Sequence, residues 1–404
     1  MLTRNPMKTR NLPITATSVL LLGLAVLTDG CKGYTNRLVL DPAPAVARLR
    51  AGGSVQAEVD CLAQPLVTNR EVFNLAVGVL TPDGAVHHFS YGREPLPGPN
   101  TIFQIGSVTK VFVASLVALL VQDGQLRYEE TVRDILPPDV KVSDSVGRLT
   151  IHQLVTHTSG LPRQPNNRRQ MRYFWKFVFA GRNPYEFITR RYLFNYLRHY
   201  RVKPTPEPVY SYSSLGFGLL GQLIEMKTGR PLPDLVEEKI CRPLNLHDTH
   251  FSLTEAERKR LATGHVGDQP KFLPRNRPIA GWDQGEVMRA SGGMYSTVND
   301  LMTFAKSNLG LLGQPLDARL AVTHEAQIKT PREDVTIGWV VNHFATGDTT
   351  IHYMNGVLAG YSTYLGMDVR KRVAVVVLTS NFNWTDKIGH NLVLRLGAAT
   401  DAPK

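Results

Sequence analysis

The chain has 404 residues, of which 43% are apolar and 20% charged, and its formal net charge at pH 7 is +12. This length suits one large globular unit or two closely joined units. After the N-terminus no apolar run is long enough to cross a bilayer, and no internal repeat is present, which excludes a multispanning membrane protein and a repeat array. The three cysteines have no metal-ligand spacing, so we expect neither a metal nor a cofactor.

Residues 1–30 have the pattern of a secretory signal peptide. Basic residues precede an apolar run, Ile14 to Leu27, that is too short for a membrane span. We therefore expect an exported protein, periplasmic or attached to the envelope; a retained membrane anchor is the alternative. Cys31 lies where a bacterial lipoprotein is cut and acylated, and both a lipidated and an unmodified Cys31 remain open. Cys61 and Cys241 either form a disulfide or stay free.

The first third of the chain contains a linker, a helix and a hairpin. Residues 31–56 are rich in Pro, Ala and Gly, which predicts a tether to a globular domain over 57–400. A first helix is expected over 57–64, ended by Pro65. Alternating apolar residues from 74 to 91, interrupted by a Pro-Asp-Gly turn, predict a β-hairpin.

A Ser-x-x-Lys box, Ser107 to Lys110, opens an apolar run without Gly or Pro until Gly124. The run predicts a buried helix whose first turn places the Lys110 amine beside the Ser107 hydroxyl, since residues three apart share a helix face. An amine that loses its proton through desolvation is a base for the serine, and the helix start favours negative charge on a nearby oxygen. Alone, the box also fits an N-cap serine with a solvated lysine.

The part of the chain after Gly124 has patterns that predict a mostly helical insert, about residues 125–330, and then a β-rich region. The helical segments expected in the insert are 150–162, 184–200, 216–227 and 300–308. Strands are expected at 336–344, 349–354, 361–367 and 373–378, and a final helix at 386–396. Strands at both ends with helices between them predict a mixed α/β (α+β) fold with one sheet built from the two termini.

The positive charge is concentrated in the segment Arg163–Arg201, which has ten basic residues against one acid, Glu186, and so contributes +9. Eleven aromatic residues are interleaved with them. A helix is expected to start at Asn183, with tyrosines on one stripe and Arg191, Arg198 and Arg201 on another face. In an exported protein an anionic envelope surface or an anionic substrate is a better partner than nucleic acid, which we do not expect. The alternative is a merely solvated basic face.

Tyr212 is a further candidate for the chemistry of the Ser-x-x-Lys box. It stands in the stretch Tyr212-Ser213-Ser214, and in an extended segment Tyr212 and Ser214 face the same way. A tyrosine hydroxyl beside a lysine can relay a proton. The alternative is that Tyr212 only packs, like most of the 14 tyrosines of the chain.

A series of motifs in a fixed order, over about residues 61–381, resembles the serine β-lactamase and penicillin-binding-protein-like hydrolase superfamily. The resemblance is greatest to its class C β-lactamase, esterase and D-alanyl-D-alanine-peptidase branch. It implies a β-lactamase/transpeptidase-like fold, with an antiparallel sheet from both chain ends flanked by helices. The motifs are Phe103-Gln104-Ile105-Gly106-Ser107-Val108-Thr109-Lys110, Leu154-Val155-Thr156-His157-Thr158-Ser159-Gly160-Leu161-Pro162, Tyr212-Ser213-Ser214 with Gly218-Leu219-Leu220-Gly221, Pro243-Leu244-Asn245-Leu246, Ser291-Gly292-Gly293-Met294-Tyr295-Ser296-Thr297 and Gly338-Trp339.

The resemblance implies a role for each matching residue. Ser107 resembles the acylated nucleophile, Lys110 its base partner and Tyr212 the tyrosine of the family's Tyr-x-Asn motif. The N–H groups of Ser107 and Val357 would form the oxyanion hole. His157 is expected to be structural. The residues expected to contact the substrate are Ser214, His352, Met354, Asn355 and Gly356.

Two positions depart from the family pattern. Ser214 stands where the family often has asparagine. Met354 stands where the family has a lysine, histidine or tryptophan, and His352 lies one pleat away on the same strand face. We expect a secreted serine hydrolase that forms an acyl-enzyme and acts on esters or amides of the β-lactam or D-amino-acid-peptide type. The alternative is a catalytically weak relative that binds cell-wall peptide or an anionic envelope polymer.

Overall fold

The computed structural model describes residues 39–180, 183–267, 273–330, 333–345, 348–383 and 386–400. The predicted signal peptide and Cys31 lie outside these ranges. The strands are β1 (Asn74–Leu80), β2 (Val86–Gly92), β3 (Phe103–Gln104), β4 (Tyr295–Ser296), β5 (Ile328–Lys329), β6 (Asp334–Val335), β7 (Val340–Phe344), β8 (Thr349–Leu358), β9 (Tyr361–Asp368) and β10 (Val373–Thr379).

Eight of these strands form one antiparallel sheet in the order β2-β1-β10-β9-β8-β7-β6-β5, and β3 pairs with β4 separately. The sheet therefore joins the N-terminal hairpin to the C-terminal strands through β1 and β10. The prediction of a mixed α+β fold with an antiparallel sheet from both chain ends is confirmed.

The helices flank the sheet, and in the described part of residues 125–330 the α-helices far outweigh the strands, which there are only the two-residue strands β4 and β5. The helices are α1 (Ala43–Arg50), α2 (Val55–Thr68), α3 (Thr109–Gln122), α4 (Val132–Ile135), α5 (Asp144–Gly147), α6 (Ile151–Val155), α7 (Arg168–Ala180), α8 (Arg190–His199), α9 (Ser214–Thr228), α10 (Leu232–Val236), α11 (Glu255–Arg258), α12 (Gly285–Gly292), α13 (Val298–Asn308), α14 (Pro315–Ala321) and α15 (Asp386–Ala399). Within the described ranges, none of them combines the length and the apolar character that a membrane crossing needs.

The register assigns side chains to the two faces of the sheet. Gly78, Val376, Leu365 and Met354 are cross-strand neighbours and share one face. A Cβ atom on Gly78 would lie 2.5 Å from Val298 Cγ1, so α13 covers this face closely. Residues one step along each strand point to the opposite face, which α15 covers.

Helix α3 lies in the core because its sequence is apolar on all sides. Every residue from Thr109 to Leu120 is buried, and Phe112 stacks on Phe304 of α13 with ring centroids 4.2 Å apart. A single 3₁₀ turn, Gly106–Val108, leads into the helix. The predicted helix start at the Ser-x-x-Lys box is therefore present.

The segment 31–56, predicted as a tether, differs from that expectation in its described part. Residues 43–50 form α1, which is tied to the fold through the buried carboxylate of Glu58. Arg48 Nε and Arg395 Nη1 each lie 2.8 Å from a Glu58 oxygen, which joins α1, α2 and α15. A carboxylate that is 2% exposed needs paired cations, and Arg48 supplies one of them.

Several predicted helix boundaries are wrong; helix α6, expected to reach Pro162, ends at Val155. Helix α2 continues through Pro65 to Thr68, because the proline lies near its end and the Pro65 carbonyl still accepts from Asn69 N–H at 2.9 Å. Helix α8 starts after Thr189, whose side chain accepts from Tyr192 N–H, and not at Asn183. The Asn183 side chain instead accepts from the N–H two residues on, which closes a local turn.

The two described cysteines do not form the disulfide that was left open. Cys61 is an exposed free thiol on α2, and Cys241 is a buried free thiol whose Sγ lies 3.5 Å from the Thr249 carbonyl oxygen. Because one thiol is at the surface and the other in the core, the two are not paired.

Candidate active site

Ser107, Lys110 and Tyr212 meet at one oxygen atom. Tyr212 Oη lies 2.6 Å from Ser107 Oγ, and Lys110 Nζ lies 3.1 Å from the same oxygen. Ser107 is half-buried, whereas Lys110 is completely buried. The arrangement brings two groups that can carry a proton into contact with one hydroxyl that solvent can reach.

The Lys110 amine is held by the surrounding helices. Its Nζ donates to the Ser291 carbonyl of α12 at 2.6 Å. The same atom lies 4.9 Å from the centre of the Tyr212 ring and 5.6 Å from that of Phe217. The sequence analysis did not assign Ser291 to the site, although the Ser-Gly-Gly-Met motif that contains it was a usable signal.

His157 positions Tyr212. Its Nδ1 accepts from the Ser213 N–H at 3.0 Å, and its ring centre lies 4.5 Å from that of Tyr212. Burial, and then the nearby charges of Lys110 and Arg163, hold the pKa of His157 well below its ordinary value. The imidazole is therefore neutral and can accept this hydrogen bond, which fits the structural role expected of it.

Strand β8 passes directly beside the Ser107 turn because two glycines leave room for it. A Cβ atom on Gly106 would lie 3.0 Å from the Val357 nitrogen, and one on Gly356 would lie 2.9 Å from the Ser107 nitrogen. Gly106 also has a φ of +50°, a conformation that favours glycine. The nitrogens of Ser107 and Val357 therefore border the same space, as an oxyanion hole requires.

The direction of the Val357 N–H follows from the hairpin that joins β8 and β9. A two-residue turn connects Leu358 to Tyr361, so these residues form the hydrogen-bonded pair that closes the hairpin. Pairs alternate along an antiparallel ladder, and the next pair, Val357 with Ser362, directs its N–H groups away from the partner strand. The Val357 N–H is thus available to a bound oxygen.

The site has two walls of different character. We call Ser107, Lys110, Tyr212 and Arg163, which packs on the Tyr212 ring, the Tyr212 wall, and residues 352–357 the β8 wall. Met354 on the β8 wall is uncharged and 3% exposed. Ser214, which was also expected to contact the substrate, is half-buried at the start of α9.

His352 does not supply the cation that Met354 lacks. It is 8% exposed, its Nε2 lies 3.3 Å from the His324 carbonyl oxygen, and the two imidazole rings are 5.3 Å apart. Burial lowers the pKa of His352, so the ring is neutral near pH 7. His352 was expected to contact the substrate, and in this structure it would do so as a neutral ring.

Asn355 points to the face of the sheet that carries α15, opposite to the face on which Gly356 contacts the Ser107 turn. Its Nδ2 donates to Asp386 Oδ2 at 2.8 Å. Burial raises the pKa of Asp386 to about 7. The sequence analysis missed Asp386, because no pattern along the chain indicates that a residue at the start of α15 meets β8.

Arg163 lies against Tyr212. Its Cζ is 5.1 Å from the centre of the Tyr212 ring, and its carbonyl accepts from the Leu215 N–H at 3.1 Å. In the described part of the remaining basic segment, 164–180 and 183–201, lie α7 and α8. The predicted tyrosine stripe of α8 is present as a stack, with ring centres of Tyr192 and Tyr196 6.4 Å apart and those of Tyr196 and Tyr200 5.6 Å apart.

Comparisons with known proteins show the family of the chain. The family model named Beta-lactamase matches residues 59–399. The chain is similar to the Unguisins hydrolase ungD' of Aspergillus campestris, with 26% identity over 339 residues that cover 77% of this chain and 60% of that protein. It is also similar to the D-alanyl-D-alanine-carboxypeptidase/endopeptidase AmpH of Escherichia coli K12, with 27% identity over 312 residues, 72% of this chain and 75% of that one.

The fold is shared with solved structures. A class C beta lactamase from Rhodobacter sphaeroides superposes with a TM-score of 0.68 at 22% identity, covering 84% of this chain and 97% of that chain. The family model spans most of the 404 residues, and the solved structure has the same fold. The chain therefore belongs to the Beta-lactamase family of serine hydrolases.

Proposed function

We propose that the protein is an acyl hydrolase that forms an acyl-enzyme on Ser107 and acts on esters or amides. The observation that carries the proposal is the contact of Ser107 Oγ with Tyr212 Oη at 2.6 Å and with Lys110 Nζ at 3.1 Å. A serine hydroxyl is a weak nucleophile until an adjacent group takes its proton, and both neighbours can take part in that transfer.

In the proposed reaction Ser107 Oγ attacks the carbonyl carbon of the substrate, and its proton passes to Lys110 Nζ, directly or through Tyr212 Oη. This step uses Lys110 in its neutral form, in which the nitrogen has a free lone pair for the proton. The N–H groups of Ser107 and Val357 bind the negative oxygen of the tetrahedral intermediate. The leaving oxygen or nitrogen departs with the returned proton, and water then hydrolyses the acyl-serine.

The β8 wall supports a preference among substrates. We propose that a substrate carboxylate directed at the β8 wall is poorly accommodated, so that short uncharged esters or amides are handled better than a penicillin or a D-alanyl-D-alanine peptide bound with its carboxylate on that side. A thioether carries no charge and accepts hydrogen bonds only weakly, so Met354 cannot hold a substrate carboxylate. A carboxylate left unpaired in a partly dry cleft costs several kcal/mol, or roughly two orders of magnitude in rate.

The test is hydrolysis of a short p-nitrophenyl ester and of a penicillin by the wild type, Ser107→Ala and Ser115→Ala. Ser115 is the matched control, because it lies in the same helix with its Oγ buried and without a hydrogen-bond partner among the described residues. We expect hydrolysis by the wild type and Ser115→Ala and none by Ser107→Ala. Hydrolysis that persists in Ser107→Ala would contradict the proposal, and a wild type that only binds would favour the catalytically weak alternative.

We also propose that the protein is exported, on the basis of the signal pattern in residues 1–30. The N-terminal sequence of protein purified from the envelope and the culture fluid would test this. A mature chain that starts near Cys31 is expected, and a lipid adduct on Cys31 would decide between its two alternatives. An intact Met1 on protein confined to the cytoplasm would contradict export.

A further inference from the structure

We propose that Arg163 is a specificity residue that binds an anionic group of the acyl substrate, a carboxylate in the simplest case. The inference rests on the proposed acyl-hydrolase function and adds a substrate class to it. Its basis is position: Arg163 Cζ lies 5.1 Å from the centre of the Tyr212 ring, and Tyr212 Oη lies 2.6 Å from Ser107 Oγ. The guanidinium is thus one tyrosine ring away from the reacting oxygen.

The backbone around Arg163 is held on both sides. The Arg163 carbonyl accepts from Leu215 N–H at 3.1 Å, just after the Tyr212 motif, and Gln164 Nε2 donates to Tyr185 Oη at 2.6 Å. Arg163 itself is half-buried. A guanidinium stacked on an aromatic ring is oriented in advance, and its planar fork matches a carboxylate with two parallel hydrogen bonds.

The charge of Arg163 is felt inside the site. Burial is the largest cause of the lowered pKa of His157, and the charges of Lys110 and Arg163 lower that pKa further. His157 packs against Tyr212. On the β8 wall, by contrast, Met354 is uncharged and His352 is neutral. The positive potential near Ser107 therefore lies on the Tyr212 wall, and an anionic substrate group is drawn to that side.

The test compares three butyrate-sized esters in the wild type and in Arg163 variants. p-Nitrophenyl butyrate is neutral, mono-p-nitrophenyl glutarate has a carboxylate on the acyl portion, and 4-carboxyphenyl butyrate has one on the leaving group. In Arg163→Gln we expect kcat/KM to fall about 10- to 100-fold for at least one anionic ester, mainly through KM, and to change less than about twofold for the neutral ester.

Two further variants sharpen the result. Arg163→Lys should keep part of the preference, because it retains the charge without the fork. Arg148→Gln, an exposed arginine outside the basic segment, should change none of the three rates. The selective loss should also shrink at high salt. The anionic ester that shows the loss identifies the portion of the substrate that Arg163 meets.

Failure of this inference and failure of the proposed function would give different patterns of rates. An equal loss on neutral and anionic esters would mean that Arg163 acts through Tyr212 and not on the substrate, which overturns the inference. Unchanged rates on both anionic esters overturn it as well. A wild type that hydrolyses none of the three esters would contradict the proposed function itself.

Discussion

The two walls of the site differ in how their chemistry is built. On the Tyr212 wall, Ser107 is contacted by Lys110 and Tyr212 within 3.1 Å, and further charge comes from Arg163. The β8 wall contributes a backbone N–H and, around it, uncharged side chains. The comparison shows that the groups that activate the nucleophile and the groups that select the charge of the substrate lie on different walls. The β8 wall has Met354 where the family pattern has a lysine, histidine or tryptophan, and Ser107 still has both of its contacts.

The largest expected effect comes from removing the base on the Tyr212 wall. Lys110→Ala should lower kcat/KM for a p-nitrophenyl ester by about 10³-fold with little change in KM, because the amine acts on the proton of Ser107 and not on substrate binding. Steady-state kinetics beside the exposed control Lys259→Ala measure this. Activity within tenfold of the wild type would assign the base to another group.

A change on the β8 wall should alter selectivity instead. Met354→Lys or Met354→His should raise kcat/KM for a penicillin relative to a p-nitrophenyl ester by about 10- to 100-fold, because a cation then pairs with the carboxylate. The assay includes His352→Ala, which should leave the ratio unchanged, since His352 is already neutral. If the wild type hydrolyses the penicillin efficiently and His352→Ala does not impair it, Met354 is no handicap and the contrast between the walls fails.

His324, whose ring packs against His352 of the β8 wall, should make the stability of the fold sensitive to acid. Burial, and then repulsion by His352 once acid has protonated that ring, lower the pKa of His324 to about 3. The folded state therefore binds fewer protons than the unfolded state below pH 6.5, so this contribution to stability is present above pH 6.5 and is lost as the pH falls toward 3. Between pH 6.5 and pH 5, one such histidine lowers the free energy of unfolding by about 2 kcal/mol.

Urea unfolding at pH 7 and pH 5 measures this contribution. His324→Asn can still meet the Asn308 side chain that His324 contacts at 3.1 Å, and it should reduce the acid-dependent loss in the free energy of unfolding by about 2 kcal/mol. The same acid-dependent loss in wild type and variant would show that His324 is not held neutral.

The smallest effect is expected on the outer surface of the basic segment, where Arg191, Arg198 and Arg201 are exposed. We propose that they favour an anionic envelope partner. Replacing all three by Gln should weaken binding to vesicles that contain phosphatidylglycerol about tenfold at low salt, less at high salt, and leave hydrolysis of a neutral ester unchanged. Equal binding at low salt would indicate a merely solvated basic face.

Much of the fold could be predicted because it depends on local pattern. The apolar run after Ser107 becomes the buried helix α3, and the β-rich runs near the C-terminus become β7 to β10. The contact of Ser107 with Lys110 follows from spacing within one helical turn. The meeting with Tyr212 could be anticipated only from the order of the motifs, since 105 residues separate the two.

The remaining features depend on contacts between distant segments. Helix α1 is held through the bond of Arg48 to Glu58, and the same carboxylate is bound by Arg395, which lies 337 residues away and leaves no mark in the local sequence. A strand pattern places His352 on the face of Met354 but does not reveal its depth, and burial decides its charge. Arg163 is one of nine arginines in its segment, and only the folded loop sets it beside Tyr212.

The most direct test of the central claim is the mass of the intact protein after reaction with a fluorophosphonate or a fluorescent penicillin. We expect one adduct per chain on the wild type, located on Ser107 by peptide mapping, and no adduct on Ser107→Ala, whose fold should remain intact. An adduct of the same mass on Ser107→Ala, or one that maps to another serine of the wild type, would contradict the assignment of Ser107 as the nucleophile.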